Sequence, residues 1–111
     1  MGMNDPDGEE ANPSWMRCYH TLREICSENG IKLILSTVPN TPTRKHRYKN
    51  ALVRNSGYRY LDISSAVGAD TCSSWKNGLI DPDGVHPSPD GAKVIARYIL
   101  SALPETEHLI R

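Results

Sequence analysis

Apolar positions along the chain switch between two spacings, and the switches mark out the elements. Trp15, Cys18, Tyr19, Leu22, Ile25 and Cys26 recur three and four residues apart, the spacing of one helix face. Asn12-Pro13 supplies an N-cap and a Pro at the first helical position, and Asn29-Gly30 supplies a stop. The pattern predicts an amphipathic helix over residues 13–28. IKLILSTV, residues 31–38, is short, mostly apolar and β-branched, and Pro39 closes it. That composition predicts a strand buried on both faces, as in a parallel sheet.

Thr43 is placed to cap a more polar second helix running to about Asn55, with Gly57 as its stop, and YRYLDIS, residues 58–64, predicts the next strand. A connection over 65–82, with room for a short helical turn, leads to a second cap-then-Pro signal at Ser88-Pro89. Ala92, Val94, Ile95, Tyr98, Ile99, Ala102 and Leu103 then trace the inner stripe of a closing helix, which Pro104 ends. The order loop–α–β–α–β–loop–α predicts an α/β fold with right-handed crossovers in a parallel sheet. Two strands are few for such a sheet, so the pattern reads as the second half of a domain. The strand at 31–38 would then show an open edge, and self-association through that edge is expected.

At 111 residues the chain is at most one domain. Its 13 basic and 13 acidic residues cancel, which removes the general field that draws a protein to nucleic acid or an anionic membrane. No apolar run approaches the ~20 residues of a membrane span. The start MGMNDPDGEE lacks the basic and apolar regions of a signal peptide. Cys18, Cys26 and Cys72 are an odd count without framework spacing, which makes reduced thiols and a cytoplasmic location the default.

Chemistry concentrates in DPDGVHPSPDG, residues 81–91. Asp83 and His86 stand three apart with Gly84 between them, close enough for the carboxylate to receive the imidazole Nδ1–H. That contact fixes the tautomer and makes the ring a useful base. Taken alone, D-x-x-H is a weak signal, since loops are rich in Asp and His, and its spacing favours the plain reading of an Asp-Gly turn beside a solvent-exposed His.

The longer stretch DGVHPSPDGAKVIA resembles the last block of the SGNH (GDSL-type) hydrolases, and Gly2-Met3-Asn4-Asp5 resembles that family's G-x-N-D block. The blocks come in the family's order, with an αβαβ run between them, and the resemblance covers Gly2 to about Leu103. It implies a flavodoxin-like three-layer α/β fold and ester hydrolysis through a Ser-His-Asp triad. In that scheme His86 is the acid/base and Asp83 its orienting carboxylate. Asn4 donates into the oxyanion hole, Gly2 lets its loop pass close to the substrate, and no cofactor is needed. The implied partner is a small ester, such as a lipid or an acetylated sugar.

The family's G-D-S block is absent: no Ser of the chain has that context. Ser64 and Ser65 end a predicted strand but lack the flanking Gly of a sharp nucleophile turn, so they read as turn or cap residues. The expectation is therefore the C-terminal part of a single SGNH domain, inactive alone, with the Ser-bearing part outside it. The alternative is a non-catalytic α/β module acting by association.

Three further features have plain readings. Trp75 either lines a substrate pocket or covers the end of the sheet. The basic run Arg44, Lys45, His46, Arg47 and Lys49 has the residue types to grip a phosphate, but reads as a solvated helix face. Cys18 and His20 lie two apart on different helix faces and cannot chelate together, so no metal site is expected.

Overall fold

The computed structural model describes residues 12–70 and 75–104, which form four helices and two short strands: α1 (Asn12–Glu28), β1 (Leu35–Ser36), α2 (Arg47–Arg54), β2 (Tyr60–Leu61), α3 (Ile63–Ala66) and α4 (Pro89–Ala102). The strands pair in parallel, with Leu35 opposite Tyr60 and Ser36 opposite Leu61. The chain is thus an α/β structure around a two-stranded parallel sheet.

Helix α1 ends as its sequence requires. Gly30 takes a φ of 68°, Ile31 N–H donates to Cys26 O at 2.8 Å and Gly30 N–H to Ser27 O at 3.3 Å. This paired closure satisfies carbonyls that the helix leaves open, and the left-handed residue in it is the one without a Cβ. Helix α4 begins as expected too: Ser88 Oγ accepts Gly91 N–H at 3.0 Å, and Pro89 occupies the first turn.

The strands are shorter than their apolar runs. Ladder bonds from Leu35 N–H to Arg59 O and from Thr37 N–H to Leu61 O, both 3.0 Å, extend the pairing only slightly beyond the two-residue strands. Leu35 and Thr37 are buried while Ser36 is exposed and Ile31 is 59% exposed. The expected burial of residues 31–38 on both faces is therefore corrected: among the described residues β1 has a neighbour only at β2. The stripe of α1 is affected likewise, with Leu22 at 36% and Ile25 at 51% exposure. A hollow of about 540 Å³ runs along this side, bordered by Tyr19, Leu22, Leu33, Leu35, Ile63 and Ile95.

Two other boundaries move. Helix α2 starts at Arg47, behind His46, so Thr43 does not cap it. The preceding segment is held in a turn of its own: Thr41 and Arg44 exchange backbone bonds of 2.8 and 3.3 Å, and Asn40 Oδ1 accepts His46 N–H at 2.7 Å. Ile63 and Ser64, expected at the end of the second strand, lie in α3, because Asp62 accepts Ser65 N–H at 3.3 Å and turns the chain into a helix.

Two clusters of buried apolar residues stand out among the described residues. Tyr19, Leu35 and Val53 join α1 and α2 to the sheet, with Trp15, Leu33 and Leu52 against them. Val67, Ala69 and Trp75 pack with Leu79, Ile80, Val94 and Ile95. The second cluster positions the loop that follows.

Candidate active site

The loop between Leu79 and Ser88 is tied at its base and folded at its tip. Ser88 N–H donates to Leu79 O at 3.0 Å, Ser88 Oγ to Gly78 O at 2.6 Å, and Asp81 N–H to His86 O at 2.9 Å. Between these ties, Gly84 N–H reaches back to Asp81 O at 2.9 Å, closing a turn with Pro82 at its second position. Pro pre-sets φ there, and Gly84 takes the left-handed φ of 72° that lets the chain reverse.

Asp83 organises the tip from within. Its Oδ1 accepts Val85 N–H at 2.9 Å and His86 N–H at 3.0 Å, leaving Oδ2 for His86 Nδ1 at 2.6 Å. The three-residue spacing works because the two amides anchor the carboxylate before the ring meets it.

Electrostatics follow from this geometry. The His86 side chain, then the His86 and Val85 amides, hold the Asp83 carboxyl down at about 2. Asp83 is therefore ionised at neutral pH and can only accept, so Nδ1 carries the proton and Nε2 is the nitrogen left for proton transfer. In return the Asp83 hydrogen bond and its charge, with a smaller contribution from Asp81, raise His86 above its ordinary value. The side chains are 73% exposed at His86 and 47% at Asp83, so the ring is open to an incoming group.

Gly91, three residues into α4, sets how closely the helix meets the loop. A methyl group placed there would overlap Leu79 O and approach the Leu79 carbonyl carbon to 2.9 Å. Only Gly lets α4 pack at this distance, and the same carbonyl accepts the Ser88 tie. Trp75, buried beside Leu79 and Ile80, supports the loop from beneath; its Nε1–H is buried with no acceptor among the described residues. On the other side, the Gly84 turn lies against Pro42, in the loop after β1.

Asn4 and Gly2 lie outside the described residues. Ser64 and Ser65 are engaged elsewhere: their Oγ atoms donate to Asp70 at 2.8 and 2.6 Å. Asp70 and Asp62 both grip Arg54, while Thr37 Oγ1 donates to Asp62 at 3.0 Å. Partial burial pushes Asp62 up, but Arg54, Thr37 and the Ser65 amide outweigh it and hold the carboxyl below its ordinary value. This network locks α2 to the end of β2 and had no signature in the sequence beyond the Asp62–Ser65 spacing. Among the described residues no three His, Cys, Asp or Glu side chains converge on a metal position, and no helix is long and apolar enough to cross a membrane.

No family model, curated protein or solved structure matches the chain.

Proposed function

We propose that the chain carries the acid–base arm of an SGNH-type ester hydrolase. The observation that supports this reading is the 2.6 Å contact of Asp83 Oδ2 with His86 Nδ1, on a tied loop with the ring facing solvent. His86 Nε2 would take the proton of a Ser hydroxyl as the oxygen attacks an ester carbonyl. It would then return that proton to the departing alkoxide, leaving an acyl-enzyme that water cleaves by the same shuttle. Asp83 keeps Nδ1 protonated and stabilises the imidazolium between the two transfers. Asn4 is assigned as an oxyanion donor and Gly2 as the residue of close approach, both through the family resemblance of the GMND stretch.

No Ser of the chain has the G-D-S context, and Ser64 and Ser65 are committed to Asp70, so this proposal assigns the nucleophile to a G-D-S block outside these residues. A flavodoxin-like three-layer sandwich is the fold that goes with it, the open side of β1 being where further strands would add. Trp75 enters as the floor of the catalytic loop.

The test is an assay of the chain against activated acyl esters. A triad without its nucleophile loses nearly all triad-dependent rate, so no turnover above buffer is expected. Turnover that disappears on His86→Ala would show that a Ser within the chain is the nucleophile and would overturn this assignment.

A further inference from the structure

The basic run at residues 44–49 reads in the sequence as a solvated helix face, and the structure divides it. His46 and Lys49 turn inward, at 1% and 4% exposure, while Lys45 and Arg47 stay exposed beside a hollow of about 560 Å³. Asn40, Arg54 and Asp70 also border this hollow. Asn40 comes from the loop after β1 and Asp70 from the segment after β2 and α3, so the hollow lies toward the carboxyl ends of the parallel strands. Open α/β sheets hold their ligands at that end. Every described residue that borders the hollow has a polar side chain, and none is aliphatic.

Three of these side chains are fixed by contacts that leave hydrogen-bonding capacity over. Arg54 meets Asp62 side-on, through Nε at 3.1 Å and Nη2 at 2.8 Å, and Nη2 also donates to Asp70. Both N–H groups of Arg54 Nη1 are left without an acceptor among the described residues. Asp70 Oδ2 accepts from Ser65 and Arg54, but Oδ1 accepts only Ser64 Oγ–H, at 2.8 Å, and keeps a lone pair. Asn40 Oδ1 accepts His46 N–H at 2.7 Å and Nδ2 donates to Ala69 O at 3.3 Å. One amide hydrogen and one lone pair of Asn40 remain, and the Ala69 tie holds that amide beside the backbone leading into Asp70.

We propose that this hollow binds a neutral polyhydroxylated molecule, a sugar with adjacent hydroxyl groups, held by Arg54, Asp70 and Asn40. A hydroxyl group both donates and accepts. Arg54 beside Asp70 offers a donor next to an acceptor, and the two ends of the Asn40 amide offer the same combination. A free anion would meet the Asp70 carboxylate and a free ammonium the Arg54 guanidinium, so the ion pair favours an uncharged ligand. An alkyl chain would take water from these polar groups without replacing its hydrogen bonds. The side-on contact with Asp62 fixes the guanidinium before a ligand arrives, and the volume falls in the range of small-molecule pockets. Pro42, against which the Gly84 turn rests, belongs to the same loop as Asn40, so the ligand would share a supporting segment with the Asp83–His86 pair. The proposal does not depend on ester hydrolysis, and its failure leaves that reading untouched.

The experiment is an amide-resolved NMR titration of the chain with the methyl pyranosides of glucose, mannose and galactose, with hexanol and inorganic phosphate in parallel arms. Saturable shifts at Asn40, Arg54 and Asp70 are expected with at least one glycoside, in the millimolar range and unchanged by ionic strength. Hexanol should give none, and phosphate should bind no more tightly than the glycoside. Asp70→Asn, which keeps the shape of the side chain, should weaken glycoside binding about tenfold. Arg44→Gln, an exposed residue that does not border the hollow, should leave it unchanged. Circular dichroism verifies that both variants fold; should Asp70→Asn unfold, the map of shifts in the parent chain decides. Saturation by none of the glycosides, equal saturation by hexanol, tighter binding of phosphate, or equal weakening by Arg44→Gln and Asp70→Asn would overturn the proposal.

Discussion

Replacing Gly91 by Ala sets two effects of opposite sign against each other. Helix propensity alone predicts a gain of at most about 1 kcal/mol from Gly→Ala in α4. Packing predicts a loss. The added methyl overlaps Leu79 O and stands 2.9 Å from its carbonyl carbon, where ordinary contact begins at 3.4 Å. The obstruction is backbone rather than a flexible side-chain end, so helix and loop must separate, at the upper end of the ~1–3 kcal/mol typical of overpacking. Separation also stretches the 3.0 Å Ser88–Leu79 bond, which contributes about 1 kcal/mol.

Packing wins, and the net destabilisation expected is about 2–3 kcal/mol, lowering the midpoint by roughly 10 °C. Thermal and urea unfolding followed by circular dichroism measure it, and amide spectra should place the largest shifts at residues 79–88. An Ala variant as stable as the parent, or more so, would refute the claim that Gly91 sets the distance between α4 and the Asp83–His86 loop.

The remaining predictions concern the pair and the open edge. Asp83→Asn should lower the His86 titration midpoint toward the ordinary ~6.5, read from imidazole proton shifts; an unchanged midpoint would mean the contact does not persist in solution. The sign of the pH dependence follows from the two shifts. With Asp83 held at about 2, its contribution to stability is present above its ordinary 3.8 and is lost as pH falls through about 2. The raised His86 contributes below its ordinary 6.5 and loses that contribution as pH rises through its folded value. Because both side chains are largely exposed, these contributions are small and salt-sensitive. Along β1, the apolar hollow beside Leu33 and Leu35 should promote association. Sedimentation velocity is expected to show a coefficient that rises with concentration; a single monomeric species throughout would count against an open edge.

Element order, the C-terminal closure of α1, the N-cap of α4 and the Asp83–His86 contact were legible in the sequence because each rests on interactions within a few residues. Asn29-Gly30, Ser88-Pro89 and D-G-V-H carry their geometry locally. Strand length was not legible, because a strand extends only as far as its partner: IKLILSTV has eight residues of strand composition, yet only Leu35 and Ser36 lie in the paired strand. The start of α2 was misplaced at Thr43 because Asn40, six residues before His46, captures the backbone through a side-chain contact no periodicity reports. Burial of His46 and Lys49 was invisible for a related reason. Polar residues are presumed exposed, and their burial emerges from the tertiary packing, which sets Lys49 over the Trp15 ring.

The proposal of an acid–base arm is tested most directly by ester turnover in a longer protein, this chain joined to a polypeptide that carries a strand and a G-D-S block. Hydrolysis of short acyl esters should appear in that protein and fall by at least ~10³-fold on His86→Ala, while the 111-residue chain stays at background. An extended protein that cleaves no ester, or one whose turnover is indifferent to His86, would contradict the account.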